Sequence, residues 1–219
     1  MKKTFITVAI DSEASAGGGT QAKLISKHYN LYYLDTGKIY RYIALIKKKN
    51  PKKFKYIFLM KKINNLKINQ LKNKNLLNEE IGTIASQIAK KLYIRKIVHK
   101  FQIKCAYFPP KKFDGSCLDG RDITTKIMPD AMFKFFIKAN LNIRAKRRFI
   151  ELKKINKEIE YKKVLKSIKT RDKSDYERKY SPLKRTKDQV LINSSNLSKK
   201  ACFLKIKKII DKKLYNGNL

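Results

Sequence analysis

The chain has no tryptophan and only two histidines in 219 residues, and its 17 acidic side chains stand against 54 lysines and arginines. His28 and His99 have no partners at useful spacing, which excludes a Ser-His-Asp or Cys-His arrangement as the basis of function. Cys105, Cys117 and Cys202 are an odd count without metal-ligand spacing. A disulfide framework and a cysteine metal site are thereby set aside, leaving reduced core thiols. Long apolar runs are missing too. The N-terminus starts basic, and its apolar stretch ends at Asp11, too early for a signal peptide or a membrane span. That stretch reads as a first, buried strand, and a cytoplasmic location is expected.

The shortage of acid leaves a formal charge of +37. Such an excess fits a nucleic-acid or membrane partner, but it also fits a lysine-, asparagine- and isoleucine-rich composition imposed by an AT-biased genome. The lysines are scattered through almost every segment rather than gathered in a tail or stripe, which favours the compositional reading. No specific nucleic-acid partner and no membrane partner are expected. The length suits one α/β domain with a substantial core.

What is present begins at Ile6. A β-branched run leads through Asp11 into small residues, and a helical pattern opens at Thr20. Strand, loop and helix in this order form a phosphate cradle, in which backbone N–H groups and a helix N-terminus converge on an anion. The cradle comprises Ser12, Glu13, Ala14, Ser15, Ala16, Gly17, Gly18, Gly19 and Thr20. Against the P-loop pattern G-x-x-x-x-G-K, Ser12 stands where glycine is expected and Gly18 where lysine belongs. A nucleotide cradle is indicated, but one without its point charge.

Three further motifs follow: Asp35-Thr-Gly-Lys-Ile-Tyr-Arg41 after a second strand-like run, Asp119-Gly-Arg-Asp122 after a third, and Arg171-Asp-Lys-Ser-Asp175-Tyr-Glu-Arg178 late in the chain. With Ala85-Ser-Gln-Ile-Ala89 and the later Arg95, their order and spacing resemble the bacterial cytidylate kinases, a family of P-loop nucleoside monophosphate kinases. The resemblance runs from about Phe5 to the C-terminal helix. It implies ATP as phosphate donor, Mg2+ as cofactor, CMP and dCMP as acceptors, and a monomer.

The resemblance also distributes roles. Ser12 to Thr20 would bind ATP, with the Thr20 hydroxyl reaching magnesium directly or through water. Thr36 and Arg41 would lie against the acceptor monophosphate. Ser86, Arg95 and Asp122 would surround cytosine, a carboxylate suiting its amino group while Ser and Arg donate to its acceptors. Arg121 would serve phosphate or orient Asp122. Arg171 and Arg178 would flank phosphate, with Asp175 accepting from ribose hydroxyls. Arg144, Arg147 and Arg148 would begin a lid over the donor phosphates, Arg144 and Arg148 acting in catalysis with Thr20. Lys23 and Lys38 are positional candidates for replacing the missing lysine. A non-catalytic nucleotide-binding protein and a basic nucleic-acid-binding protein on a kinase-like fold remain the alternatives.

Strand-like runs at Phe5–Ile10, Tyr32–Leu34, Cys117–Leu118, Met132–Ile137 and Val190–Ile192 alternate with helical patterns. This predicts a parallel sheet flanked by helices, a nucleoside monophosphate kinase-like α/β fold over 1–219. Helices are expected over Thr20–His28, Ile39–Lys48, Asn142–Lys154 and Lys157–Thr170, with another opening at Asn78. A final helix is expected after Ser198, its apolar positions Ala201, Leu204, Ile206, Ile209 and Ile210. Residues 50–100 would form the monophosphate-binding insertion and about 140–180 the lid with its adjoining helices. In the family the insertion often holds a small antiparallel sheet, yet the strand alternation in 50–77 is poor.

Overall fold

The computed structural model describes residues 5–154 and 157–216. Its first element explains the rest. In β1 (Ile6–Ser12) every residue after Ile6 is buried, because the strand is the middle of the sheet and has apolar neighbours on both faces. The chain then runs through α1 (Gly18–His28), β2 (Tyr32–Asp35), α2 (Thr36–Lys49), α3 (Tyr56–Asn64), two 3₁₀ turns, α4 (Glu79–Ile88), α5 (Leu92–Tyr107) and β3 (Gly115–Gly120). A π-helical turn at Ile123–Ile127 precedes β4 (Phe133–Lys138), α6 (Leu141–Lys153), α7 (Tyr161–Glu177), β5 (Val190–Asn193) and α8 (Lys199–Asn216).

The five strands are parallel throughout, in the order β2-β3-β1-β4-β5. On one face Ile39, Ile43, Leu59 and Ile94 pack around Leu34 and Leu118. On the other, Ile25 and Ile206 cover Val8, Ile10 and Phe135. A smaller cluster joins Ala14 of the β1–α1 loop to Ala145, Val164 and Ile168 of α6 and α7. The register sets Asp11 beside Gly120 and Asp35 beside Asp119, so the three motif-bearing loops leave the sheet at the carboxyl ends of adjacent strands. Open α/β sheets form their ligand crevice there.

Expectation and structure differ at two helices, and the segment whose strand alternation is poor takes a helical form. Between β2 and β3 no strand occurs among the described residues. Leu59 and Ile63 are instead buried from a helix, Leu66 from the link after it, and Leu71 and Leu76 from two 3₁₀ turns, as the irregular apolar spacing there favours. The second basic helix starts later and runs further than expected, to Glu177, carrying Arg171 and Asp175 with it. Leu204 is 50% exposed, and α8 buries Cys202, Ile206 and Ile210.

One buried carboxylate ties this framework together. Asp11 accepts from the backbone N–H of Ile123 (2.7 Å) and Thr124 (3.1 Å), from the Thr124 hydroxyl (2.5 Å) and from Gln189 Nε2 (3.2 Å). Burial nevertheless dominates and raises its pKa to about 6. The folded protein therefore holds this proton more tightly than the unfolded chain does. The stability so gained is full below pH 3.8 and lost as pH rises through about 6. A carbon-13 NMR titration is expected to place the Asp11 midpoint near pH 6. A midpoint under 3.8 would mean that the four donors outweigh burial.

Candidate active site

A cleft of about 640 Å³ opens at the carboxyl ends of the strands. Its floor is the β1–α1 loop. Gly17 caps α1 with φ 97°, a left-handed conformation that suits glycine, while Ser15 holds φ 61° at some cost in strain. The first-turn N–H groups of α1, which a helix leaves without internal partners, sit beside the cleft. Thr20 is exposed at this end.

The loop is clamped from outside by ions. Arg144 is 4% exposed and donates to the carbonyls of Ala139 (2.8 Å) and Ala14 (3.0 Å) and to Asp172 Oδ2 (2.5 Å). Its Nε also lies 3.4 Å from Glu13 Oε2. Asp172 Oδ1 in turn accepts from Ala14 N, while Glu13 accepts from Ala139 N and Tyr176 Oη. Ala14 and Arg144 do not line the cleft. The expectation that Arg144 faces the donor phosphates is therefore corrected: its guanidinium is consumed in holding the loop between β4, α6 and α7.

The lysine-less position has a steric explanation. A Cβ built on Gly18 would lie 2.8 Å from Ser12 Cβ and closer still to its hydroxyl. Both departures from the P-loop pattern thus belong to one fit, in which Ser12 fills the space that a side chain at 18 would need. Ser12 lines the cleft.

On the opposite wall the expected acceptor residues come together. Thr36, which opens α2, donates its hydroxyl to Asp119 O (2.8 Å), and Gly120 leaves room for it. Arg41 is held by the carbonyls of Leu76 (2.8 Å) and Asn78 (3.0 Å). Its guanidinium passes over Gly82, where a Cβ would sit 2.7 Å from Nη2. Ser86 projects into the cleft from α4. Arg95 and Asp122 form a buried pair at 2.9 Å, and Asp122 uses only Oδ2 for it.

Asp175 stands among three guanidiniums, at 2.8 Å from Arg121, 3.2 Å from Arg178 and 3.9 Å from Arg171. Burial opposes its ionisation, but the arginines prevail and hold its pKa below the usual carboxylate range. Burial and then Arg121 lower Arg171 to about 10. Burial and then Arg95 lower Arg178, whose Nη2 is buried without a hydrogen-bond partner. Arg147 is engaged by Ser194 and Leu197, and Arg148 pairs with Glu79 and Glu151. Both still line the cleft.

Tyr33 and Asp119 line the cleft without having been assigned a role from sequence. The Tyr33 hydroxyl donates to Asp119 (2.8 Å), and burial followed by Asp35 raises the Asp119 pKa. Asp119 lies in a quoted motif, and the strand register that places it against Asp35 was the missing signal. Among the described residues no group of three His, Cys, Asp or Glu side chains is placed to hold a metal.

The model of the cytidylate kinase family matches residues 8–212. The chain belongs to the cytidylate kinase family. It is 39% identical over 214 residues to a cytidylate kinase of Bartonella henselae, covering 95% of each chain. To one of Thermosipho melanesiensis it is 36% identical over 215 residues, covering 94% of this chain and 97% of the relative. A crystal structure of an uncharacterized protein from Eubacterium ventriosum shares the fold, with TM-score 0.55 and 19% identity over 94% of this chain and 98% of that one. Membership gives the family pattern a direct bearing on Ser12 and Gly18, where this chain departs from the P-loop consensus.

Two outcomes are expected. Gly18→Lys alone should lower the melting temperature through an overpacking penalty of about 1–3 kcal/mol, and Ser12→Gly added to it should restore most of the loss. Melting curves that leave Gly18→Lys unchanged would show the loop yielding freely. Arg144→Ala, which strands two partly buried carboxylates, should cost about 3–5 kcal/mol in urea denaturation.

Proposed function

We propose that this chain transfers the γ-phosphoryl group of ATP to CMP and dCMP, yielding ADP with CDP or dCDP. An acceptor phosphate oxygen, already ionised, attacks Pγ, and the Pγ–O bond to the β-phosphate breaks. No general base is required, so the protein's task is to align two polyanions, exclude water and supply positive charge.

The observation that carries this reading is the Arg178 Nη2, a buried guanidinium N–H without a partner, in a wall shared with Asp175 and the Arg95–Asp122 pair. Buried donors of this kind are matched by ligand acceptors. Arg41, Arg121, Arg171 and Arg178 present the forked geometry that suits phosphate oxygens, with Thr36 beside them. The uncommitted Oδ1 of Asp122 would accept from the cytosine amino group, while Ser86 and Arg95 donate to its acceptors. A base lacking that amino group would leave the carboxylate unpaired. Asp175 would take ribose hydroxyls.

Backbone N–H groups of the β1–α1 loop would hold the donor's β-phosphate. Mg2+, when bound, draws charge from the transferring phosphoryl group. The donor set fits it: the Thr20 hydroxyl is exposed, and the carboxylates of Asp35 and Asp119 line the same cleft. These are hard oxygens, and Mg2+ keeps most of its shell as water and nucleotide phosphate. Residues 50–100 serve here as the monophosphate-binding insertion and about 140–180 as the lid, with Arg148 reaching the cleft from the lid side. The same reading has the protein act as a cytoplasmic monomer on free nucleotides. No helix among the described residues is long and apolar enough to cross a membrane.

Gly18 favours a second reading, a nucleotide-binding protein whose catalysis has lapsed. Steady-state phosphorylation of CMP with ATP and Mg2+ separates the two. Under the kinase reading, Asp122→Ala is expected to raise KM for CMP about tenfold or more while KM for ATP stays within about threefold. Equal weakening toward both nucleotides would sink this division of the cleft.

A further inference from the structure

We infer that Lys23 supplies the positive charge that the P-loop position 18 lacks. The inference rests on the kinase reading for its catalytic consequence, but its geometry is independent of it. Position 18 is a glycine crowded by Ser12 and carries no charge, so the charge has to reach the donor phosphates from another residue. The cleft is lined by three lysines, Lys23, Lys38 and Lys199. None of them has a carboxylate within 4.0 Å among the described residues.

Lys23 lies one turn along α1 from Gly19, on the same face. Helical side chains lean toward the N-terminus, so a residue at i+4 covers the surface over residue i. Gly19 offers no side chain to block that path. The atoms around it show where the path leads. A Cβ built on Gly19 would lie 3.2 Å from Asp119 Oδ2 and 3.5 Å from Tyr33 Oη. The Lys23 ammonium stands over that same Tyr33 ring, 6.0 Å from its centroid. It therefore already lies on the cleft side of α1, toward Tyr33 and within electrostatic reach of the Asp119 carboxylate that borders Gly19.

Lys23 is exposed, and four rotatable bonds let its ammonium swing from Tyr33 to an arriving triphosphate. Lys38 differs in setting. It sits in the first turn of α2 beside Thr36, where its backbone N–H is held by Asp35 (3.2 Å), on the acceptor wall. The charge that a P-loop lysine brings from the start of α1 is here brought from one turn further along the same helix. The phosphates meet it from the same side.

The test compares Lys23→Met and Lys38→Met with the unmodified protein. Two readouts are used: CMP phosphorylation, and calorimetric binding of a non-hydrolysable ATP analogue with Mg2+. Lys23→Met is expected to lower kcat about 10²-fold and to weaken the analogue roughly tenfold to hundredfold, with KM for CMP and the melting temperature unchanged. Lys23→Arg should recover part of both losses. Analogue affinity unchanged in Lys23→Met, or the loss appearing in Lys38→Met instead, overturns the assignment. Absence of CMP turnover in the unmodified protein would remove the kinase reading alone, because analogue binding still reads the role of Lys23.

Discussion

Guanidinium groups gathered beside an open cleft repel one another, and three of those in this protein share a single carboxylate. Asp175 is shared by Arg121, Arg171 and Arg178, which come from the β3 loop and the end of α7. Two of the three remain depressed in pKa even with that anion among them. Burial is the first cause of both shifts, and with three guanidiniums against one carboxylate the cluster itself carries net positive charge. Under the proposed function an incoming phosphate would complete the balance and offer an acceptor to the unpartnered Arg178 Nη2. The other ionic cluster, Glu13, Arg144 and Asp172, is closed on itself. One network lines the cleft and the other stiffens a loop, and the two differ in how many acceptors each arginine has been given.

The sheet was largely legible in the sequence, because β-branched runs ending in small or acidic residues mark strands that enter loops at a crevice. The motifs at Asp35, Asp119 and Arg171 line one cleft, since each follows or lies close to an element of the sheet layer. Arg144 was legible as a cleft-side arginine and is not one. Its partners, Ala14 and Asp172, are remote in the chain, and no local pattern reports such distances. The segment before α4 was opaque for a different reason. Its apolar residues fit neither a helical nor a strand period, and the structure solves that with short turns that bury one leucine at a time.

The same contrast applies to charge. Composition alone gives a very basic chain, and most lysines are solvated. Position on the fold decides which of them matter: a lysine one turn into α1 faces the cradle, whereas lysines in the last turn of α2 complement the helix dipole.

Ser12 and Gly18 share one small volume, and this constrains the routes by which the sequence can change. Glycine at 12 would leave room for a side chain at 18, whereas serine at 12 crowds it. Conversely, this chain cannot regain a lysine at 18 by a single substitution without a clash. The two positions act as a ratchet. A lysine at 18 would have to arrive together with a smaller residue at 12 to sit in the loop without crowding.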